Sequence, residues 1–322
     1  MFGRILSGLG RALIVAGLLV LGFVAYQLWG TSVEASRGQS DLRETLAADL
    51  GKTDVARVDL TDLMKEMAKP PEPTADKPAP VIEPPAEGEP LGVISIPRID
   101  LKRIVVSGVS RSDLKKGPGH YPGTPMPGQA GNAGIAGHRT TYGAPFNRID
   151  ELIPGDEITV ATMQGEFTYV VIPAPGQTEQ AWYTVKPSQV EVLDNMGDNR
   201  LTLTACHPKY SAKQRIIVQA VMKTPPAQTL VATTAAAGSV KPKSSENTVS
   251  TTAEQFDEGL SGDPSALTTA LLFGLAAAVV AGLAWFLKRY TKPWAAWAVA
   301  TPAILVLIWF GYVYLDRYLP TL

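Results

Sequence analysis

Apolar residues recur at every second position in a set of short runs along the middle of this chain. The runs are 92–96, 101–106, 133–137, 157–162, 166–172, 200–206 and 214–222. A period of two, rich in valine, isoleucine and threonine, marks strands that bury one face. The triplet Met163-Gln164-Gly165 joins two of them and suits a short hairpin, with glycine supplying the positive φ. Residues 145–152 read as a brief helix. Seven or eight such strands in one segment predict an all-β unit, an antiparallel barrel or sandwich.

The two ends of the chain have a different texture. Residues 12–29, 267–287 and 294–315 are long and apolar, matching the ~17–25 residues with which a helix crosses a bilayer. Arg4 and Arg11 precede the first, and Lys288, Arg289 and Lys292 lie between the other two. Basic flanks stay in the cytoplasm. This predicts a multi-pass protein of the cell membrane, with residues 30–265 and the C-terminus outside. Val33-Glu34-Ala35 resembles a signal-peptide cleavage site, but the first apolar run exceeds a signal core of ~7–15 residues, which favours an uncleaved anchor. Gly274, Ala278 and Gly282 form a small-residue stripe suited to close contact with the third span, or to lipid-facing filler.

Between these textures lie linkers. Residues 40–69 carry leucines among charges and suit short helices interrupted at Gly51-Lys52-Thr53-Asp54. Residues 70–90 hold eight prolines, an extended spacer. Residues 224–264, rich in threonine, alanine and serine, have the composition of a disordered tether. The expected organisation is an anchor over 1–30, a segment ending in the proline-rich linker over 31–90, the β-unit over 91–223, a linker over 224–264 and a helical hairpin over 265–322.

Net charge is −1, and residues 91–223 contain fourteen Lys/Arg against eleven Asp/Glu with no basic block, which argues against nucleic acid as a partner. Three histidines are too sparse for a metal site, and no phosphate loop appears, so no cofactor is expected. The one cysteine, Cys206, ends a strand-like run and is followed by His207-Pro208. Outside the membrane a lone thiol is either buried and inert or kept for chemistry. A thiol nucleophile needs a base and a stabiliser of the developing oxyanion. His138, just after 133–137, and Arg215, opening the last strand, are the candidates. Pairing of those two strands would bring them to one end of the sheet. Each has a plainer reading: a small core hydrophobe for Cys206, a turn residue for His138, a strand-end cation for Arg215. His120 and His207 are rival bases, although His207 adjoins the thiol and so points away from it in an extended chain.

Taken together, Ala136-Gly137-His138-Arg139, Thr202-Leu203-Thr204-Ala205-Cys206 and Arg215 resemble the sortase signature of Gram-positive bacteria. With Gly117-Pro118-Gly119-His120-Tyr121-Pro122-Gly123-Thr124 and Cys206-His207-Pro208, the pattern is similar to the class E sortases of Actinobacteria. The resemblance implies a closed β-barrel of seven to eight strands and transpeptidation at the cell surface. Cys206 would form a thioester with a C-terminal sorting signal of Leu-Ala-x-Thr-Gly or Leu-Pro-x-Thr-Gly type. His138 would act as acid/base and Arg215 as oxyanion donor. Tyr121, His120 and Thr204 become candidate contacts for the signal. The implied partners are surface proteins bearing that signal, and a peptidoglycan or lipid-linked precursor amine as acceptor.

The chain departs from the family at Ala205, where threonine is common. Its paired C-terminal spans are more typical of pilin-polymerising sortases, whose Asp-Pro-aromatic lid motif is missing from the N-terminal segment. The readings outside the family are a non-catalytic surface docking module and an L,D-transpeptidase, whose Ser-x-Gly-Cys context is absent.

Overall fold

The computed structural model describes residues 2–52, 58–69, 84–227, 263–290 and 292–319. They fall into two compact units, residues 1–30 with 261–321 and residues 31–260. Most of the proline-rich segment, nearly all of the tether expected over 224–264, and part of the Gly51–Asp54 interruption lie outside the described residues.

The first unit is helical: α1 (Phe2–Ala25), a π-helical turn (Tyr26–Gly30), α5 (Ala266–Leu287) and α6 (Pro293–Tyr318). Its three α-helices are long and apolar enough to cross a membrane. The small-residue stripe does not make the helix contact expected of it. A Cβ built at Gly274 or Gly282 meets nothing within 4 Å, whereas one at Gly311 of α6 lies 3.7 Å from Phe273 Cβ. Phe273 of α5 stacks on Phe310 and Tyr314 of α6, and Ala277 and Ala284 of α5 are buried. The stripe lies on a face of α5 next to the packed one.

The second unit holds α2 (Thr31–Asp49), α3 (Leu60–Met67), α4 (Arg111–Leu114) and nine strands. These are β1 (Pro90–Ile96), β2 (Leu101–Ser107), β3 (Gly119–His120), β4 (Asn132–Ala136), β5 (Glu157–Thr162), β6 (Gly165–Val171), β7 (Trp182–Val185), β8 (Arg200–His207) and β9 (Gln214–Met222). Eight form a closed barrel in the order β6-β5-β1-β2-β3-β4-β8-β9, which returns to β6 through Tyr169↔Met222 and Val171↔Ala220. β7 pairs with the part of β9 that β6 leaves uncovered.

All seven runs read from the sequence are strands. The pairing is mixed, not purely antiparallel as expected, because β2–β3 and β4–β8 are parallel. A parallel pair needs a long crossover, and β5, β6 and β7 all lie between β4 and β8. The strand pairing assumed for His138 and Arg215 does not occur either: β8 stands between β4 and β9. The brief helix over 145–152 shrinks to one 3-10 turn, Ile149–Glu151.

Alternation sorts the barrel into two buried faces. Leu201, Leu203 and Ala205 of β8 and Ile216, Val218 and Ala220 of β9 join the inner core. Outside, Val93, Ile104, Val106 and Ala161 are covered by Leu42, Leu46 and Ala47 of α2 and by Leu63, Met64 and Met67 of α3. The spacing of Leu42 and Leu46 places both on one face of α2. Gln39 fastens that helix to the barrel. β3 is too short to pair with all of β2, and Gln39 occupies the vacant edge: Ile104 N–H donates to its Oε1 at 2.9 Å. Its Nε2 donates to Ile104 O at 3.0 Å and Lys116 O at 2.9 Å. Gly38 permits the approach, since a Cβ there would lie 2.9 Å from Lys116 Cα.

His120 on β3 is buried, with Nε2 2.8 Å from Pro125 O and 3.1 Å from Thr124 Oγ1. Burial is the main cause that pushes its pKa down from 6.5 to about 4, against the opposing bond to Pro125.

Two outcomes follow for stability. Gln39→Ala leaves the buried Ile104 amide unpaired and is expected to cost about 1–3 kcal/mol, against about 0.5 or less for exposed Ser36→Ala. Pulse proteolysis in urea, on the full chain in detergent, reads both. For His120 the folded pKa lies below the unfolded one, so its contribution is complete above pH 6.5 and is lost as pH falls toward 4. The loss is at most ~1.4 kcal/mol per pH unit. His120→Gln should therefore lose about 2 kcal/mol less than the wild type between about pH 7 and pH 5, and an equal loss would contradict the assignment.

Candidate active site

The outer face of β8 carries Thr202, Thr204 and Cys206, the positions that alternate with the inner core. Cys206 faces Arg215 directly across the β8–β9 ladder, as Thr204 faces Ile217. Side chains opposed in this way have Cβ atoms about 4.5–5.5 Å apart. Both are about 1% exposed, so thiol and guanidinium meet in a place largely shielded from water. Arg215 Nη1 donates to Ala212 O at 2.9 Å and Gln214 O at 3.3 Å, which holds one edge of the guanidinium against its own loop. A small apolar cluster encloses this face, with Leu114, Tyr121, Val192, Leu193 and Ile217 packed around Cys206. Gly134 on β4 leaves the room it needs: a Cβ there would stand 2.8 Å from both Tyr121 and Leu193.

His138 arrives from the other flank. Ala136 is the register partner of Thr204, and Gly137 N–H donates to Thr204 O at 3.0 Å, extending the parallel pairing beyond the end of β4. His138 and Cys206 each follow those partners by two residues, so the imidazole leaves the sheet at the level of the thiol. It is fully buried against the Tyr142 ring, centroids 5.1 Å apart. Among the described residues neither ring nitrogen finds a hydrogen-bond partner. Burial, assisted by the charges of Arg111 and Lys115, pushes its pKa down from 6.5 to about 3. His138 is therefore a neutral imidazole with an available lone pair. An unsatisfied buried polar group costs about 1–3 kcal/mol, a cost that suits a group kept for an incoming proton. Tyr142 itself is held by Lys115, whose Nζ lies 4.9 Å from the ring centroid and 3.5 Å from Glu34 Oε1.

Of the remaining candidates, Tyr121 and Thr204 belong with Cys206 and Arg215. Tyr121 Oη lies 3.0 Å from Thr204 Oγ1. Burial raises the tyrosine pKa to about 12, the Thr204 bond opposes it, and the fields of Arg215 and Cys206 act in opposite directions. His120 is one residue away in sequence, but its ring is engaged by Pro125 and Thr124 of its own loop. His207 points away from Cys206, as extended chain requires; its ring lies 5.8 Å from that of Trp182.

Arg139, named in the sequence only as part of the motif around His138, is buried beside these residues. It is 2% exposed, and its guanidinium reaches His207 Nδ1 at 2.7 Å, Cys206 O at 3.4 Å and Asp150 Oδ2 at 2.9 Å. The clue was its place immediately after His138, where a charged residue ordinarily reads as an exposed turn. Among the described residues no group of three or more His, Cys, Asp or Glu is arranged to hold a metal. The site supplies a thiol, a neutral imidazole and a guanidinium on one face, the parts required for acyl transfer through a thioester.

Residues 94–223 match the family model of the sortase domain. Sortase SrtE1 of Streptomyces coelicolor is 32% identical over 225 residues, covering 65% of this chain and 55% of that protein. Sortase D of Bacillus subtilis is 26% identical over 198 residues, or 61% of this chain and 86% of that one. Among solved structures, sortase E of Streptomyces avermitilis is 37% identical, with coverage of 44% of this chain and 91% of that chain and a TM-score of 0.38. This chain thus spans little more than half the length of SrtE1. On the domain match over 94–223 and the identity shared with these relatives, the chain carries a segment similar to the sortase domain.

Proposed function

We propose that this protein is a membrane-anchored cysteine transpeptidase that cleaves a C-terminal sorting signal and transfers the new C-terminus to a cell-wall amine. The carrying observation is the register pair Cys206↔Arg215, with His138 leaving β4 beside it. In the proposed cycle Cys206 Sγ attacks the carbonyl of the signal's Thr–Gly bond, and neutral His138 takes the thiol proton. Arg215 donates to the oxyanion that forms. The imidazolium then returns the proton to the departing glycine nitrogen as the C–N bond breaks, leaving a thioester on Cys206. An acceptor amine attacks the thioester, loses its proton to His138 and releases the thiolate. Arginine suits the oxyanion role because it stays charged and presents several donors. The buried setting strengthens that bond relative to water.

Tyr121 and Thr204, joined by a hydrogen bond beside the thiol, form the wall against which the signal would lie, and His120 braces the loop that follows. The basic residues around the spans support a barrel held outside the membrane, with the α5–α6 turn inside.

Two experiments test this reading. With a panel of Leu-Ala-x-Thr-Gly and Leu-Pro-x-Thr-Gly peptides and an amine acceptor, Cys206→Ala should form no thioester. His138→Ala should lose about 10²–10⁴ in kcat, the usual share of acid–base catalysis. Arg215→Ala should lose on the order of 10²–10³. Turnover by Cys206→Ala would overturn the mechanism. For topology, Ser244→Cys and Leu322→Cys in a Cys206→Ala background should react with a membrane-impermeant maleimide on intact cells, and Thr291→Cys should not. Labelling at Thr291 would reverse the last hairpin.

A further inference from the structure

The residue after the proposed base and the residue after the proposed nucleophile are in direct contact. Arg139 follows His138, His207 follows Cys206, and Arg139 Nη1 lies 2.7 Å from His207 Nδ1 and 3.4 Å from the Cys206 carbonyl. A second tie runs in parallel. Asn147 Nδ2 donates to Arg139 O at 2.8 Å, and Lys209 Nζ donates to Asn147 Oδ1 at 3.2 Å. The strand ladder aligns the two segments only as far as Gly137 N–H and Thr204 O; beyond that point these side chains join them.

Resting on the reading that Cys206 and His138 are nucleophile and acid/base, we infer that Arg139 is a positioning residue. Its guanidinium, anchored by Asp150, clamps the Cys206–His207 peptide and sets the spacing between thiol and imidazole. A filler role fits the observations poorly. Burying a guanidinium costs free energy that an apolar side chain of similar size avoids, so its retention calls for acceptors that need a planar cation. Three are present, on two separate parts of the chain: Asp150 Oδ2 on one, and His207 Nδ1 and Cys206 O on the other. Arginine's fork can meet two of them from different nitrogens at once, which lysine's single ammonium cannot reproduce.

The contact also fixes the state of His207. An arginine N–H can only donate, so Nδ1 accepts and the neutral ring carries its hydrogen on Nε2. Burial and then the charge of Arg139 lower the His207 pKa, with Asp150 opposing, in keeping with a ring that stays an acceptor. His207 is half-buried, which makes it the gentler place to break the clamp.

The test uses the full chain in detergent with sorting peptide and amine. Displacing a catalytic group by about 1 Å costs on the order of 100-fold, so Arg139→Lys should lower kcat by about that factor with KM held within about twofold. His207→Gln keeps an acceptor for Arg139 and should stay within about threefold of wild type, whereas His207→Leu should fall by about 30-fold or more in kcat. The glutamine and leucine variants decide the matter if Arg139→Lys fails to fold. Equal kcat for His207→Leu and His207→Gln would overturn the clamp. So would a folded Arg139→Lys that keeps wild-type kcat, or one whose loss lies wholly in KM. Cys206→Ala is run alongside. Turnover without the thiol would instead overturn the proposed function, whereas an inactive Cys206→Ala beside wild-type-like Arg139 and His207 variants would overturn the clamp alone.

Discussion

The period of two in β8, buried on both faces, governs the arrangement of the site. Leu201, Leu203 and Ala205 are drawn into the barrel, and that commitment turns Thr202, Thr204 and Cys206 outward. A slip of one residue would carry the thiol into the core and an alanine into the site. The inward set is strongly apolar, so the register that presents Cys206 is enforced by the same burial that stabilises the barrel. β9 obeys the same rule with Arg215 and Ile217 outward, and the antiparallel ladder sets cation against thiol.

This origin accounts for the electrostatics of the site. The outer face of β8 lies beneath α4, the 190–193 turn and the β3–β4 loop, and groups there sit in a medium with little water. Burial keeps His138 and His120 neutral and Tyr121 protonated. Two guanidinium groups, those of Arg215 and Arg139, are buried in the same surroundings. Ala205, where the family commonly has threonine, points into the barrel core with 1% exposure. A hydroxyl there would face apolar neighbours on the side of β8 opposite the thiol.

Much of the fold was legible because strand periodicity is local: β1, β2, β4, β5, β6, β8 and β9 announce themselves in runs of five to nine residues. β3 did not, being two residues long within a run of glycine and proline, too short for any period. β7 is a four-residue edge strand, only half-buried, and leaves an equally weak pattern. Cys206, His138 and Arg215 were readable as residue types, yet their juxtaposition was not. It depends on β8 lying between β4 and β9, a pairing over long sequence distance that hydrophobic patterning does not encode. Arg139 was hidden for a related reason. Its burial exists only after two distant segments meet, and a charged side chain beside a histidine looks exposed until they do.

The ladders that hold β8 also differ greatly in the entropy needed to form them. β8 and β9 are separated by the six residues 208–213, so the Cys206–Arg215 pair closes a short loop. β4 and β8 pair residues 68 positions apart. Closing the longer loop costs about 2 kcal/mol more, and that cost must be met before the contacts it brings are gained. The least costly sequence of assembly therefore makes the Cys206–Arg215 hairpin first and delivers the His138 imidazole afterwards. In the interval the thiol is accessible and already beside a cation, the condition in which a cysteine is most open to oxidation and exchange. With no second cysteine anywhere in the 322 residues, that exposure cannot end in a wrong disulfide within the chain.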